Sequence, residues 1–104
     1  MVASPPDNSA SHEAEIGWTF LSNHSHVLVC IFRDPEARVR DIAASVGVTE
    51  RAVQRILADL EDAGVLRRIR RGRRNHYEID GSQPLRHPIE ANHTVDELLR
   101  MLKH

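Results

Sequence analysis

The sequence predicts a mainly helical fold closed by one small antiparallel β-hairpin, and three observations carry that expectation. Between residues 40 and 63 a short apolar-patterned stretch (Arg40–Val46), a glycine (Gly47) and a longer amphipathic stretch follow one another. Val65 to Arg70 and Asn75 to Ile79 then read as two strands around the turn Arg71-Gly72-Arg73-Arg74. Finally, Val95, Leu98, Leu99 and Leu102 recur at helical spacing behind Thr94, a residue suited to capping a helix. At 104 residues the natural count is one compact domain. Its core would be modest, so association with a second copy would help it.

Along the chain, Met1 to His12 hold Pro5-Pro6 and several Ser, Asp and Asn residues, the composition of a disordered tail. From Glu13 the pattern turns helical, with Ile16, Phe20 and Leu21 at i, i+4 and i+5 and Trp18 close by. Ser22-Asn23 can cap a fresh helix that carries Val27, Leu28, Ile31 and Phe32 until Asp34-Pro35 stops it. Arg38-Val39 is expected as a very short strand. The next helix, Arg40 to Val46, would bury Ile42, Ala43 and Val46. Gly47 supplies the turn, because only glycine enters the left-handed helix cap without steric cost. Val48 is placed to plug the corner. Thr49 then caps a third helix, with Glu50 well placed at its positive N-terminal end. That helix has an apolar stripe of Val53, Ile56, Leu57 and Leu60 and a polar face of Arg51, Gln54, Arg55 and Asp59. Ala63-Gly64 ends it. Gly81 to Asn92, with Pro84 and Pro88, is expected as an extended connector. The expected organisation is a tail over 1–12, the main domain over 13–80, and a connector with a dimerising helix over 81–104.

The net charge of −1 conceals an asymmetry. Residues 1–32 hold three acids and no Lys or Arg, whereas residues 33–77 hold eleven Arg against seven acids. Residues 78–104 return to an acidic balance, with three bases against five acids. A basic middle between acidic ends points to a directional surface for a polyanion. Six of the arginines (Arg67, Arg68, Arg70, Arg71, Arg73 and Arg74) fall within eight residues around Gly72. So much like charge on one hairpin is a poor structural choice unless a polyanion faces it.

A short helix, a glycine turn and an amphipathic helix with a clean polar face form the helix-turn-helix arrangement. The first helix braces the second, whose N-terminal polar residues can then enter the major groove of duplex DNA. Candidate groove residues are Thr49, Glu50, Arg51, Gln54 and Arg55. Arg can hold guanine O6 and N7, Gln can pair with adenine, and Glu can accept from cytosine. Arg70, Arg71, Gly72, Arg73, Arg74 and Asn75 would form a wing reaching the phosphate backbone or an adjacent minor groove. The run from Arg38 to Leu66, centred on Ala43-Ala44-Ser45-Val46-Gly47-Val48-Thr49-Glu50-Arg51-Ala52-Val53-Gln54-Arg55, resembles the winged helix of MarR-like and ArsR-like bacterial regulators. Short stand-alone members of this kind are similar at Trp18-Thr19-Phe20-Leu21-Ser22-Asn23-His24, at Gly72-Arg73-Arg74-Asn75 and at Leu85-Arg86-His87-Pro88-Ile89-Glu90. The resemblance covers roughly residues 16–102. It implies a dimeric DNA-binding repressor or activator with a winged helix-turn-helix fold, and it transfers no effector ligand.

Other functions find little footing. There is no Gly-rich phosphate loop, nucleophile elbow, His-Glu-x-x-His or obvious carboxylate pair, so no enzyme, catalytic residue or cofactor is expected. Of the seven histidines, His24 and His26 are two apart and point to different faces of a helix, while His76, His87 and His93 are scattered; no metal site is expected. Cys30 lies in an apolar run without an electropositive neighbour and reads as a core residue. A single cysteine, no signal-like segment over Met1 to Ser11 and no apolar run near ~20 residues fit a cytoplasmic protein without a membrane partner. Ile16, Phe20 and Leu21 at one end and Leu98, Leu99 and Leu102 at the other exceed what a small winged helix can bury, so they are expected to form a homodimer interface. The alternative is a winged helix used as a protein-interaction module, against which the arginine-dense hairpin argues.

Overall fold

The computed structural model describes residues 17–103. Four helices and one hairpin follow in order: α1 (Asn23–Arg33), α2 (Val39–Val46), α3 (Glu50–Asp62), β1 (Leu66–Arg71), β2 (Arg74–Ile79) and α4 (Val95–Met101). This is the mainly helical winged arrangement that the sequence predicts. Ser22 caps α1 by accepting from the Ser25 N–H, and the chain leaves the helix at Asp34, just before Pro35.

One hydrophobic cluster joins every element. Val27, Leu28 and Ile31 of α1 meet Ile42, Ala43 and Val46 of α2 and the stripe Val53, Ile56, Leu57 and Leu60 of α3. Val65, Leu66 and Tyr77 close it from the hairpin, and Val95 and Leu99 close it from α4. Val48 is half-buried against the same cluster, at the corner between α2 and α3. α4 begins with a full capping box: the Thr94 hydroxyl accepts from the Glu97 N–H while the Glu97 carboxylate accepts from the Thr94 N–H at 2.7 Å. The connector is pinned by an isolated bridge between Pro84 and Thr94 and by the Leu85 N–H donating to the His93 carbonyl.

Four expectations need correction. The helix expected from Glu13 does not run through 17–21: Gly17 takes φ 95° and the chain there has no regular structure. Its earlier part, including Ile16 and the tail over 1–12, lies outside the described residues. Arg38-Val39 is not a strand, because Arg38 is the N-terminal boundary residue of α2 and Val39 its first helical residue. The hairpin turn is tighter than expected, since Arg71 and Arg74 pair and only Gly72-Arg73 lie between them. Leu99 is 1% exposed and packs in the chain's own core, so it is not available to a partner.

Candidate nucleic-acid interface

The recognition surface is built from local chemistry. Gly47 ends α2 with φ 89° and ψ 36°, and its N–H and that of Val48 both donate to the Ala43 carbonyl, at 2.8 and 3.1 Å. A side chain at φ 89° would be strained, which is why glycine holds this corner. Two residues later Thr49 caps α3, its hydroxyl accepting from the Ala52 N–H at 3.0 Å. With Val53, Ile56 and Leu57 turned into the core, the 3.6-residue period leaves Glu50, Arg51, Gln54 and Arg55 facing outward. None of these four makes an ion pair or side-chain hydrogen bond among the described residues. Thr49, Arg51 and Arg55 also line an open cleft with His24 and Asp59, and those last two pair across α1 and α3 at 2.8 Å.

The wing is organised by its register. Arg71 pairs with Arg74, Arg70 with Asn75, Arg68 with Tyr77 and Arg67 with Glu78. Gly72 takes φ 60° at the first central position of the turn, and no described non-glycine residue has positive φ, the pattern of a type II′ hairpin. The arginines of the hairpin are not equivalent. Arg67 donates to the Glu78 carboxylate at 2.6 and 3.2 Å across the strands. Arg68 holds both oxygens of Glu61 on α3, at 3.0 and 3.2 Å, and its guanidinium lies 5.9 Å from the Tyr77 ring centroid. Arg74 lies 3.9 Å from the Glu36 carboxylate, and Arg70 donates to the Gly72 carbonyl at 2.8 Å. Arg71 and Arg73 make no ion pair within 4 Å among the described residues, and both are exposed. Three acidic partners thus relieve the charge repulsion of the run, and the free cations are concentrated at the tip. Arg67 also holds the Glu78 carboxyl below the usual carboxylate range.

The predicted interface residues divide. Leu21 and Leu98 come together around one cleft of about 200 Å³ that Leu28, Leu60, Leu85 and Val95 also line. Phe20 is 91% exposed and stacks edge-on against Trp18, with ring centroids 4.9 Å apart. Leu102 is half-buried; its carbonyl accepts from Arg33 at the end of α1. Ile89 and Met101 are also exposed.

Sequence reasoning assigned no role to three further charged residues. Arg38 and Arg40 are exposed at the start of α2, where no side chain caps the helix. Their signal was two arginines at a helix entrance, hidden by reading Arg38-Val39 as a strand. Glu36 reaches the wing from 40 residues away in sequence, which no local pattern announces. Cys30 is half-buried at the edge of the core and not inside it; burial pushes its thiol pKa up and the nearby Arg33 opposes this, so the expectation of a core cysteine without an electropositive neighbour is corrected. Among the described residues no group of three His, Cys, Asp or Glu side chains could hold a metal ion, and no helix is long and apolar enough to cross a membrane.

A braced helix with outward polar residues, followed by an arginine-tipped hairpin, defines a winged helix-turn-helix protein. Residues 22–73 match the MarR family model, from the cap of α1 through the turn of the wing, and the chain belongs to the MarR family of DNA-binding transcriptional regulators. No curated protein and no solved structure shows a significant match to it.

Proposed function

We propose that this protein is a sequence-specific homodimeric regulator that inserts the N-terminal half of α3 into the major groove of duplex DNA. The observation that carries this reading is the set Arg51, Gln54 and Arg55: three exposed side chains able to read base edges, none tied up among the described residues. The wing tip, through Arg71 and Arg73, contacts the phosphate backbone or the neighbouring minor groove and adds affinity without reading sequence. The second copy docks on the apolar surface that includes Phe20, Leu21 and Leu98. Phe20 contributes roughly 1.5–3 kcal/mol on full burial and the half-buried Leu21 and Leu98 a part of that each, in both copies, set against the entropy of association. Related by a two-fold axis, two recognition helices would meet half-sites ~10 base pairs apart, centre to centre. Selection of bound fragments from a random duplex pool tests the reading. Enrichment of a pseudo-palindrome with that spacing is the expected outcome, and recovery of unenriched sequence would refute specificity.

A further inference from the structure

We propose that Glu36 is a positioning residue for DNA binding, holding the arginine wing against the helical body through Arg74 and His76. The inference rests on the reading that the wing tip meets DNA. The described sheet has two strands, so the outer edge of β2 has no strand beside it. One main-chain bond crosses from that edge to the loop between α1 and α2, the Tyr77 N–H donating to the Pro35 carbonyl at 2.8 Å. Glu36 is the next residue of that loop.

The loop is set before it meets the wing. The Glu36 N–H donates to Asp34 Oδ1 at 3.1 Å, and the Ala37 N–H donates to the Asp34 carbonyl at 3.0 Å. Positions 74 and 76 share one face of β2, because side chains alternate along a strand. The carboxylate spans both positions: Oε2 lies 3.3 Å from His76 Nδ1, and Oε1 lies 3.9 Å from Arg74 Nη1. A carboxylate can only accept, so Nδ1 of His76 carries the hydrogen of that bond. On the other strand, Arg68 ties β1 to Glu61 of α3. The hairpin is thereby anchored at both edges, by Glu61 through β1 and by Glu36 through β2.

Leverage makes the second anchor matter. Arg73 is three residues beyond His76, about 10 Å along the strand at the usual rise. A tilt of ~20° at the base would carry the tip roughly 3.5 Å, beyond the reach of a phosphate hydrogen bond. The approach to Arg74 is exposed and contributes little to global stability, while the half-buried bond to His76 contributes modestly, so losing Glu36 lowers the thermal midpoint slightly and acts chiefly on wing placement. The sign is diagnostic. Removing a carboxylate beside a basic surface raises the local positive potential, and electrostatics alone would then tighten DNA binding. Positioning predicts weaker binding.

The experiment measures duplex affinity over a salt series, and thermal midpoints, for the full chain and for Glu36→Ala, Glu36→Gln and Arg73→Ala. If the unanchored wing is correctly placed ~10–20% of the time, Glu36→Ala binds about 5–10-fold more weakly. Its salt slope stays unchanged, because the same phosphates are contacted once the complex forms. Glu36→Gln recovers part of the loss, its amide oxygen still accepting from His76, and the Tyr77 amide exchanges faster in Glu36→Ala than in the parent. Equal or tighter binding by Glu36→Ala, beside an Arg73→Ala variant that is weakened with a shallower slope, overturns the proposal alone. An Arg73→Ala variant with unchanged affinity and slope overturns the wing reading and this proposal with it.

Discussion

Replacing Arg71 and Arg73 together by alanine should make DNA binding less sensitive to salt, and the structure sets the size of the change. Four of the six hairpin arginines have partners within the chain: Arg67 with Glu78, Arg68 with Glu61, Arg74 near Glu36 and Arg70 on the Gly72 carbonyl. Among the described residues the two tip arginines make no hydrogen bond or ion pair, and Arg71 acts on Glu78 only through its charge, so both can neutralise phosphates without first giving up an internal bond. Each phosphate contact on B-form DNA contributes about 0.9 to the slope of log affinity against log salt, so losing two should flatten it by roughly 1.8. Between 50 and 200 mM salt the parent should therefore lose about 12-fold more affinity than the double variant. Fluorescence anisotropy on a labelled random duplex reads the slope directly. The control removes Arg67 and Glu78 as a pair, Arg67→Ala with Glu78→Ala, which leaves the net charge unchanged and the tip intact. That control should keep the parent slope. If it flattened the slope as much as the tip variant did, charge would act diffusely over the hairpin and the assignment of contacts to the tip would be wrong.

Three further outcomes follow from the structure. Arg51→Ala, Gln54→Ala and Arg55→Ala should each cost ~1–3 kcal/mol on the selected site and little on random duplex, measured by competition binding; equal losses on both would exclude base reading by α3. Phe20→Ser and the double variant Leu98→Asp, Leu102→Asp should shift the light-scattering mass from dimer to monomer at micromolar concentration; a monomeric parent would exclude the pairing, and Phe20, being exposed, tests it without disturbing the core. Glu97 is held below the usual carboxylate range chiefly by the Thr94 backbone N–H, so its stabilisation is complete above the ordinary carboxylate pKa and is lost as the pH falls through its lowered value. The difference in thermal midpoint between the parent and Glu97→Gln should therefore be largest above about pH 5 and shrink in acid; a difference constant with pH would refute the capping account.

The helix-turn-helix was legible because its chemistry is local. Gly47, Thr49 and the stripe Val53, Ile56, Leu57 and Leu60 each act within a few residues, and each sits where its type requires. The entry to the domain was less legible. Ile16, Phe20 and Leu21 imitate a helical period, but Gly17 adopts φ 95° among them and the chain after it leaves Phe20 in solvent. In α4 the four apolar positions looked like a single stripe. At about 100° per residue they form two rows: Val95 and Leu99 face the core, while Leu98 and Leu102 lie on an adjoining, half-covered row. The charge of the hairpin was legible, whereas its neutralisation was not, because Glu36 and Glu61 come from other elements and only the register brings Glu78 opposite Arg67.

Those two rows of α4 bear on how far apart the DNA targets of a dimer can sit. A helix seven residues long, with Val95 and Leu99 buried in the common core, carries Leu98 and Leu102 on the row beside them. If two copies meet along that row, the distance between their recognition helices is set by side-chain packing and not by the length of a linker. Such a dimer works as a fixed calliper. It would accept an operator of one spacing and reject the same half-sites moved apart by even a base pair or two, because each added pair also rotates the second half-site around the duplex. Regulators that join their reading heads through flexible chains can follow such a shift; a dimer packed along a helix row that adjoins the core could follow it far less.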